Sequence, residues 1–259
     1  MKSIFEPFVS RFFISRIFIS LFLLCPCGQA NAVQNTIRIA IYGDSLTSGY
    51  QLQPEQAFPA KLERKFKEVG FNNVEVSNMS VAGETTAGGV ERLNSVLIKH
   101  PDIVILELGS NDALRGISPP LIYNNLMDMT RRLIQNGSYV ILAGAKAPPD
   151  MGYAYSSQLD AIYEQVVSLN GKLPFYPFIL NGIVGKPELN LADGLHPSSK
   201  GVEVMVENIY PLVDAVVRKK WEDLQYAQQY QYQQQQQLMQ NNGMPAPEAL
   251  APPVGAPAQ

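Results

Sequence analysis

The sequence predicts a single α/β domain built on a parallel sheet, and three observations lead there. Between Thr36 and Lys220 short apolar runs alternate with longer segments of helical period, the pattern of strands joined by helical crossovers. That stretch contains no internal repeat and no linker-like composition, so one domain accounts for it. Its roughly 190 residues suffice to bury an apolar core of their own.

Taken in order, strands are expected at residues 37–42, 74–78, 103–108 and 139–143, each a short apolar run, with a shorter fifth strand near Phe178. Helices fill the gaps. Residues 57–69 place Ala57, Leu62, Phe66 and Val69 near one face, and residues 90–99 and 122–135 carry comparable stripes. Residues 202–218 form the closing helix, with Val202, Val206, Ile209, Val213 and Val217 spaced by three or four.

The chain ends read differently. Lys2, Arg11 and Arg16 precede a charge-free apolar run from Ile17 to about Leu24, and small and polar residues follow up to Ala30-Asn31-Ala32. That layout is a secretory leader over residues 1–32, too short in its apolar part for a span of about 20 residues. Both cysteines, Cys25 and Cys27, fall inside it, and neither is preceded by the small residue of a lipoprotein site. The exported chain would hold no cysteine, which excludes disulfides, thiol catalysis and cysteine metal sites. Losing the leader removes three cations and one anion from a chain of formal charge −3, leaving −5. Nothing in that balance suggests nucleic-acid binding. At the other end, a Gln-rich run with interspersed Tyr and a Pro/Ala-rich stretch cannot bury apolar surface. Residues 221–259 are therefore expected to be a disordered tail, although the Gln run could instead prolong the closing helix or meet an unidentified envelope partner.

In an open parallel sheet ligands sit beyond the carboxyl ends of the strands. Three segments lie there: Gly43-Asp44-Ser45-Leu46 after the first strand, Ala82-Gly83 after the second, and Gly109-Ser110-Asn111-Asp112 after the third. Ester cleavage by a serine needs a base, a group that orients the base, and donors for the oxyanion. The chain has two histidines, His100 and His196. His100 precedes the third strand whereas Asn111 follows it, which separates His100 from the loop edge by about 20 Å. That leaves His196, in Asp193-Gly194-Leu195-His196-Pro197 just before the closing helix, as the base, with Asp193 to hold it. Ser45 follows a strand and opens a helical segment, as an exposed nucleophile would. Gly83 offers a backbone N–H with no Cβ in the way, and Asn111 a side-chain amide. Alone, each of these is as well explained by a turn or a helix cap. Their fixed order on one sheet edge is not.

These four segments resemble the signature blocks of SGNH (GDSL-type) hydrolases, with all four intact. The likeness runs from about Ile37 to Val217 and is greatest to the periplasmic bacterial enzymes described as thioesterase, arylesterase and lysophospholipase. The resemblance implies a flavodoxin-like three-layer αβα domain with a five-stranded parallel sheet. It implies an oxyanion hole of Ser45 N–H, Gly83 N–H and the Asn111 amide, and no metal or cofactor. The substrate would be a small acyl ester, thioester or lysophospholipid. Its acyl group is expected to lie across the loops after the third and fourth strands, against Leu114, Ile117, Met151, Tyr153 and Tyr155. Two rivals stand beside this reading: a sugar or peptidoglycan deacetylase of the same fold, and a non-catalytic envelope binding module. A G-x-S-x-G elbow and a phosphate-cradling glycine loop are both missing.

Overall fold

The computed structural model describes residues 36–243; the expected leader and the Pro/Ala stretch from 244 onward lie outside the described residues. Five strands, β1 (Ile37–Gly43), β2 (Val74–Asn78), β3 (Ile103–Glu107), β4 (Tyr139–Ala143) and β5 (Phe175–Tyr176), form one sheet. The order is β2-β1-β3-β4-β5 and every pair is parallel. This is the flavodoxin-like arrangement, whose order reverses between β1 and β3. The fifth strand is two residues long and lies before Phe178, not at it. Pro174 and Pro177 bracket it, and a proline cannot donate to the ladder.

Alternation along the inner strands divides the core in two. Ile37, Ile39, Ile41, Ile103, Ile105 and Ile141 face one side, where they meet α2 (Phe58–Glu68) and α8 (Ser199–Asn241). Ala40, Tyr42, Val104, Leu106, Val140 and Leu142 face the other, against α6 (Pro119–Gln135) and α7 (Gly152–Leu169). Apolar residues on both faces of a strand are what a sheet covered on both sides requires.

The helical segments depart from expectation in three places. The helix expected over 90–99 is two short helices, α3 (Thr86–Arg92) and α4 (Asn94–Leu97), because the Thr85 hydroxyl caps Gly88 N–H and starts the helix earlier. Residues 152–169 form α7, with Leu159, Ile162, Tyr163 and Val166 buried at helical spacing. Finally, α8 does not stop near residue 218. It continues through the Gln-rich run to Asn241, which corrects the expectation of disorder from residue 221 up to that point. Gln, Leu and Met propagate a helix once it is nucleated, and the run contains no Gly or Pro before Gly243. Trp221 is buried and Leu224 packs on the core, so the domain extends past residue 220. Among the described residues no helix is long and apolar enough to cross a membrane.

Candidate active site

The site is built at the reversal point, at the carboxyl ends of β1 and β3. After β1 the chain turns sharply into the short helix α1 (Ser45–Ser48), and Asp44 caps it by accepting from Leu46 N–H at 3.0 Å. Gly43 is required here: a Cβ would stand 2.3 Å from Thr47 Oγ1 and 2.7 Å from Glu107 Oε2. That close approach lets Ser45 begin the helix directly over the sheet edge.

His196 comes from the loop that leads into α8. Leu191 N–H donates to His196 O at 2.8 Å and Ser198 N–H to Leu189 O at 2.9 Å, which folds the loop back on itself. Within it, one Asp193 oxygen accepts from Leu195 N–H at 2.9 Å and His196 N–H at 3.0 Å. The other lies 2.7 Å from His196 Nδ1. Asp193 is thus a turn residue and an imidazole holder at once, which is what the D-x-x-H spacing provides. The backbone donor of His196, then its ring, then Leu195 N–H hold the Asp193 carboxyl down at about 2. With Nδ1–H donating to Asp193, Nε2 is free to accept from the Ser45 hydroxyl, 2.9 Å away. On the ring's face, Tyr50 lies with centroids 4.4 Å apart.

On the β3 side, α5 (Ser110–Leu114) carries Asn111, whose amide donates to Asp44 Oδ2 at 2.9 Å. Next to it the buried Asp112 accepts from Thr86 N–H at 2.8 Å and Thr86 Oγ1 at 2.6 Å, which ties α5 to α3. Arg115 reaches from the end of α5 to the Gly83 carbonyl at 3.0 Å. Gly83 sits in an exposed turn at φ +78°, and a Cβ there would meet nothing within 4 Å. Its glycine therefore answers to backbone conformation, not to lack of room.

Beneath the Ser45 turn two acids are buried together. Burial pushes the Asp44 carboxyl up to about 6, against the pull of the Leu46 and Asn111 donors. Burial first, and the Asp44 charge second, push Glu107 well above the usual carboxylate range. Its Oε2 accepts from Thr47 Oγ1 at 3.1 Å.

A cavity of about 290 Å³ opens beside Ser45, Asn111 and His196. Leu46, Leu114, Ala147, Pro148, Pro149, Phe178, Leu180, Val184 and Leu195 give it apolar walls, and Lys146 stands at its edge, paired with Asp160 at 2.8 Å. Of the expected lining residues only Leu114 is there. Ile117 packs into the core beneath α6, and Tyr155 hydrogen-bonds the Ile117 carbonyl. Met151 and Tyr153 lie where the chain enters α7, with Tyr153 88 % exposed. A larger groove of about 610 Å³ along α2 and β2 holds neither Ser45 nor His196. His100 is exposed before β3, at the opposite end of the strand from Asn111. Among the described residues no three His, Cys, Asp or Glu side chains gather as a metal site.

The family model of the GDSL-like lipase/acylhydrolases matches residues 41–204, a span that starts in β1 and ends in the first turns of α8. The chain belongs to this family. It is an ester hydrolase, and its GDSL segment is the turn that carries Ser45. It is 37% identical over 167 residues to an arylesterase of Vibrio mimicus, covering 64% of this chain and 82% of that protein. It is 30% identical over 199 residues to the thioesterase 1/protease 1/lysophospholipase L1 of Escherichia coli K12, covering 75% and 92%. Among solved structures, the psychrotrophic esterase EstA from Pseudoalteromonas sp., inhibited by monoethylphosphonate, superposes with a TM-score of 0.66 at 27% identity, over 70% of this chain and 99% of that one. This chain also holds the buried acid pair Asp44–Glu107 and the Thr86–Asp112 clasp, neither of which the sequence analysis singles out. An acid inside the apolar run of β3 was the available signal for Glu107.

Proposed function

We propose that this chain is an exported serine esterase acting on esters or thioesters of apolar acyl chains. What supports the nucleophile and base is the single file Asp193–His196–Ser45, with 2.7 Å and 2.9 Å between successive partners. In this scheme Ser45 Oγ attacks the acyl carbon while its proton passes to His196 Nε2, and the carbonyl electron pair moves onto oxygen. The ionised Asp193 stabilises the imidazolium. The imidazolium then protonates the departing alcohol or thiol, and water, deprotonated by the same nitrogen, releases the acid. Ser45 N–H, Gly83 N–H and the Asn111 amide receive the oxyanion in this reading, with Asp44 orienting the Asn111 amide by occupying one of its two N–H groups.

The substrate class rests on the cavity rim. Leu114, Val184 and Leu195 are each more than half exposed, and all three line the same opening. Exposed apolar side chains gathered at one mouth suit an apolar acyl chain entering from solvent or a lipid aggregate. The same reading takes residues 1–32 as a cleaved leader, residues 33–220 with Trp221 as the hydrolase domain, and export to the periplasm or beyond. N-terminal sequencing of the secreted protein tests the leader.

The deciding experiment is hydrolysis of a chain-length series of p-nitrophenyl esters, with Ser45→Ala alongside. Activity that rises with chain length and vanishes in the variant is the expected result. Activity confined to acetyl esters would turn the reading to a deacetylase, and none on any ester would favour a binding module.

A further inference from the structure

His196 uses its two ring nitrogens on Asp193 and Ser45, which leaves the faces of the imidazole to be accounted for. One is covered by Tyr50, with ring centroids 4.4 Å apart and planes inclined by 39°. Tyr50 comes from the same segment as the nucleophile. The helix α1 that starts at Ser45 is capped by Gly49, in the left-handed conformation at φ +85°, and Tyr50 is the next residue. The turn is fixed: Leu52 N–H donates to Gly49 O at 3.0 Å, and a Cβ on Gly49 would stand 2.5 Å from Ala57 Cβ. The tyrosine ring is therefore carried at a set place relative to Ser45, although Tyr50 itself is 38 % exposed.

We propose that Tyr50 is a positioning residue of the ester-cleaving reaction. Its ring holds the imidazole in the plane that joins Asp193 to Ser45, and its π-face stabilises the imidazolium formed when His196 takes the serine proton. The inference rests on the assignment of His196 as base. A cation within about 6 Å of an aromatic centroid is attracted by the ring quadrupole. The attraction exists only after proton transfer, so it lowers the barrier without tightening substrate binding. The other charged groups near the imidazole are Asp193, at its Nδ1, and Asp44 beneath the Ser45 turn, whose carboxyl a charge on His196 draws down. Both are acids, and both remain when Tyr50 is replaced.

The test compares Tyr50→Phe, Tyr50→Leu and Tyr50→Ala in the full chain, with p-nitrophenyl butyrate as substrate and thermal unfolding as a check on folding. Tyr50→Phe keeps the ring and is expected to stay within about 2-fold of the parent rate. Tyr50→Leu keeps apolar cover without a π-face. It is expected to lose about 2- to 5-fold in kcat at unchanged KM, with the acid limb of kcat/KM moved to lower pH by about half a unit. Tyr50→Ala should lose at least as much. Equal rates and equal acid limbs in the Phe and Leu variants would overturn the proposal, since shape alone would then suffice. A failure of the underlying assignment is distinguishable: His196→Ala would then retain activity whatever Tyr50 does.

Discussion

Replacing Asp44 by Asn should change how stability depends on pH, by an amount that the burial of the carboxyl sets. Asp44 is wholly buried and titrates near 6 in the fold, against 3.8 as its ordinary value. Above both values the carboxylate is ionised folded and unfolded, and the shift of about two units costs the fold about 3 kcal/mol. As pH falls through 6 the folded protein takes up its proton first, and the cost shrinks to about 1 kcal/mol at pH 4.5. Acidification from pH 8 to 4.5 therefore returns about 2 kcal/mol through this group, a gain unavailable to the Asn variant. The variant also sets its own amide against that of Asn111, but that penalty is independent of pH and cancels. Asp193, ionised down to about 2, titrates outside the window. The assay is urea unfolding of both proteins at the two pH values, followed by the fluorescence of Trp221, the single tryptophan. The parent should gain about 2 kcal/mol on the variant at the lower pH. A difference that stays constant, or reverses, would refute a buried, ionisable Asp44.

Three further outcomes follow from the same geometry. Asn111→Ala should lower kcat about 10²- to 10³-fold with little change in unfolding midpoint, if its amide serves the oxyanion; steady-state kinetics with intact folding would show it, and an unchanged kcat would remove Asn111 from the scheme. Each methylene buried in the cavity should raise kcat/KM by about 4-fold; Phe178→Ala should flatten that increment across the ester series, whereas Tyr153→Ala, on a residue outside the cavity, should not. Trp221→Ala should cost about 3–5 kcal/mol in chemical unfolding, because Trp221 belongs to the core between α8 and the sheet.

The parts legible in the sequence were those with a strong local code. Four strands, α2 and α6 stand where period and composition put them, and Ser45, His196 and Asp193, singled out in the sequence, lie in one file with hydrogen-bonding distances between successive members. The residues that line the cavity were misread for a traceable reason. Pro148, Pro149, Gly152 and the serines 156 and 157 make 148–157 look like a loop, yet α7 begins at Gly152 and carries Tyr153 away from the opening. The true walls Phe178, Leu180 and Val184 come from a segment between β5 and α8 with no period at all. Their place depends on how distant segments pack, which a one-dimensional pattern does not encode. For the Gln run the helical alternative holds over disorder, because a composition unable to form a core can still extend a helix already started elsewhere.

The hydrogen bond from Ser45 to His196 joins residues 151 apart in sequence. Ser45 and Asn111 flank neighbouring strands and belong to the first half of the chain, whereas His196, the proposed base, belongs to the segment that α8 closes. Closure of that loop is a long-range contact, which must offset a large loop-closure entropy before it forms. In the proposed scheme hydrolytic competence therefore requires the C-terminal part of the chain, where Lys61 ties α8 to α2 through Ser199 and Glu203. Partly folded forms, with the serine turn exposed but no imidazole beside it, would be chemically silent.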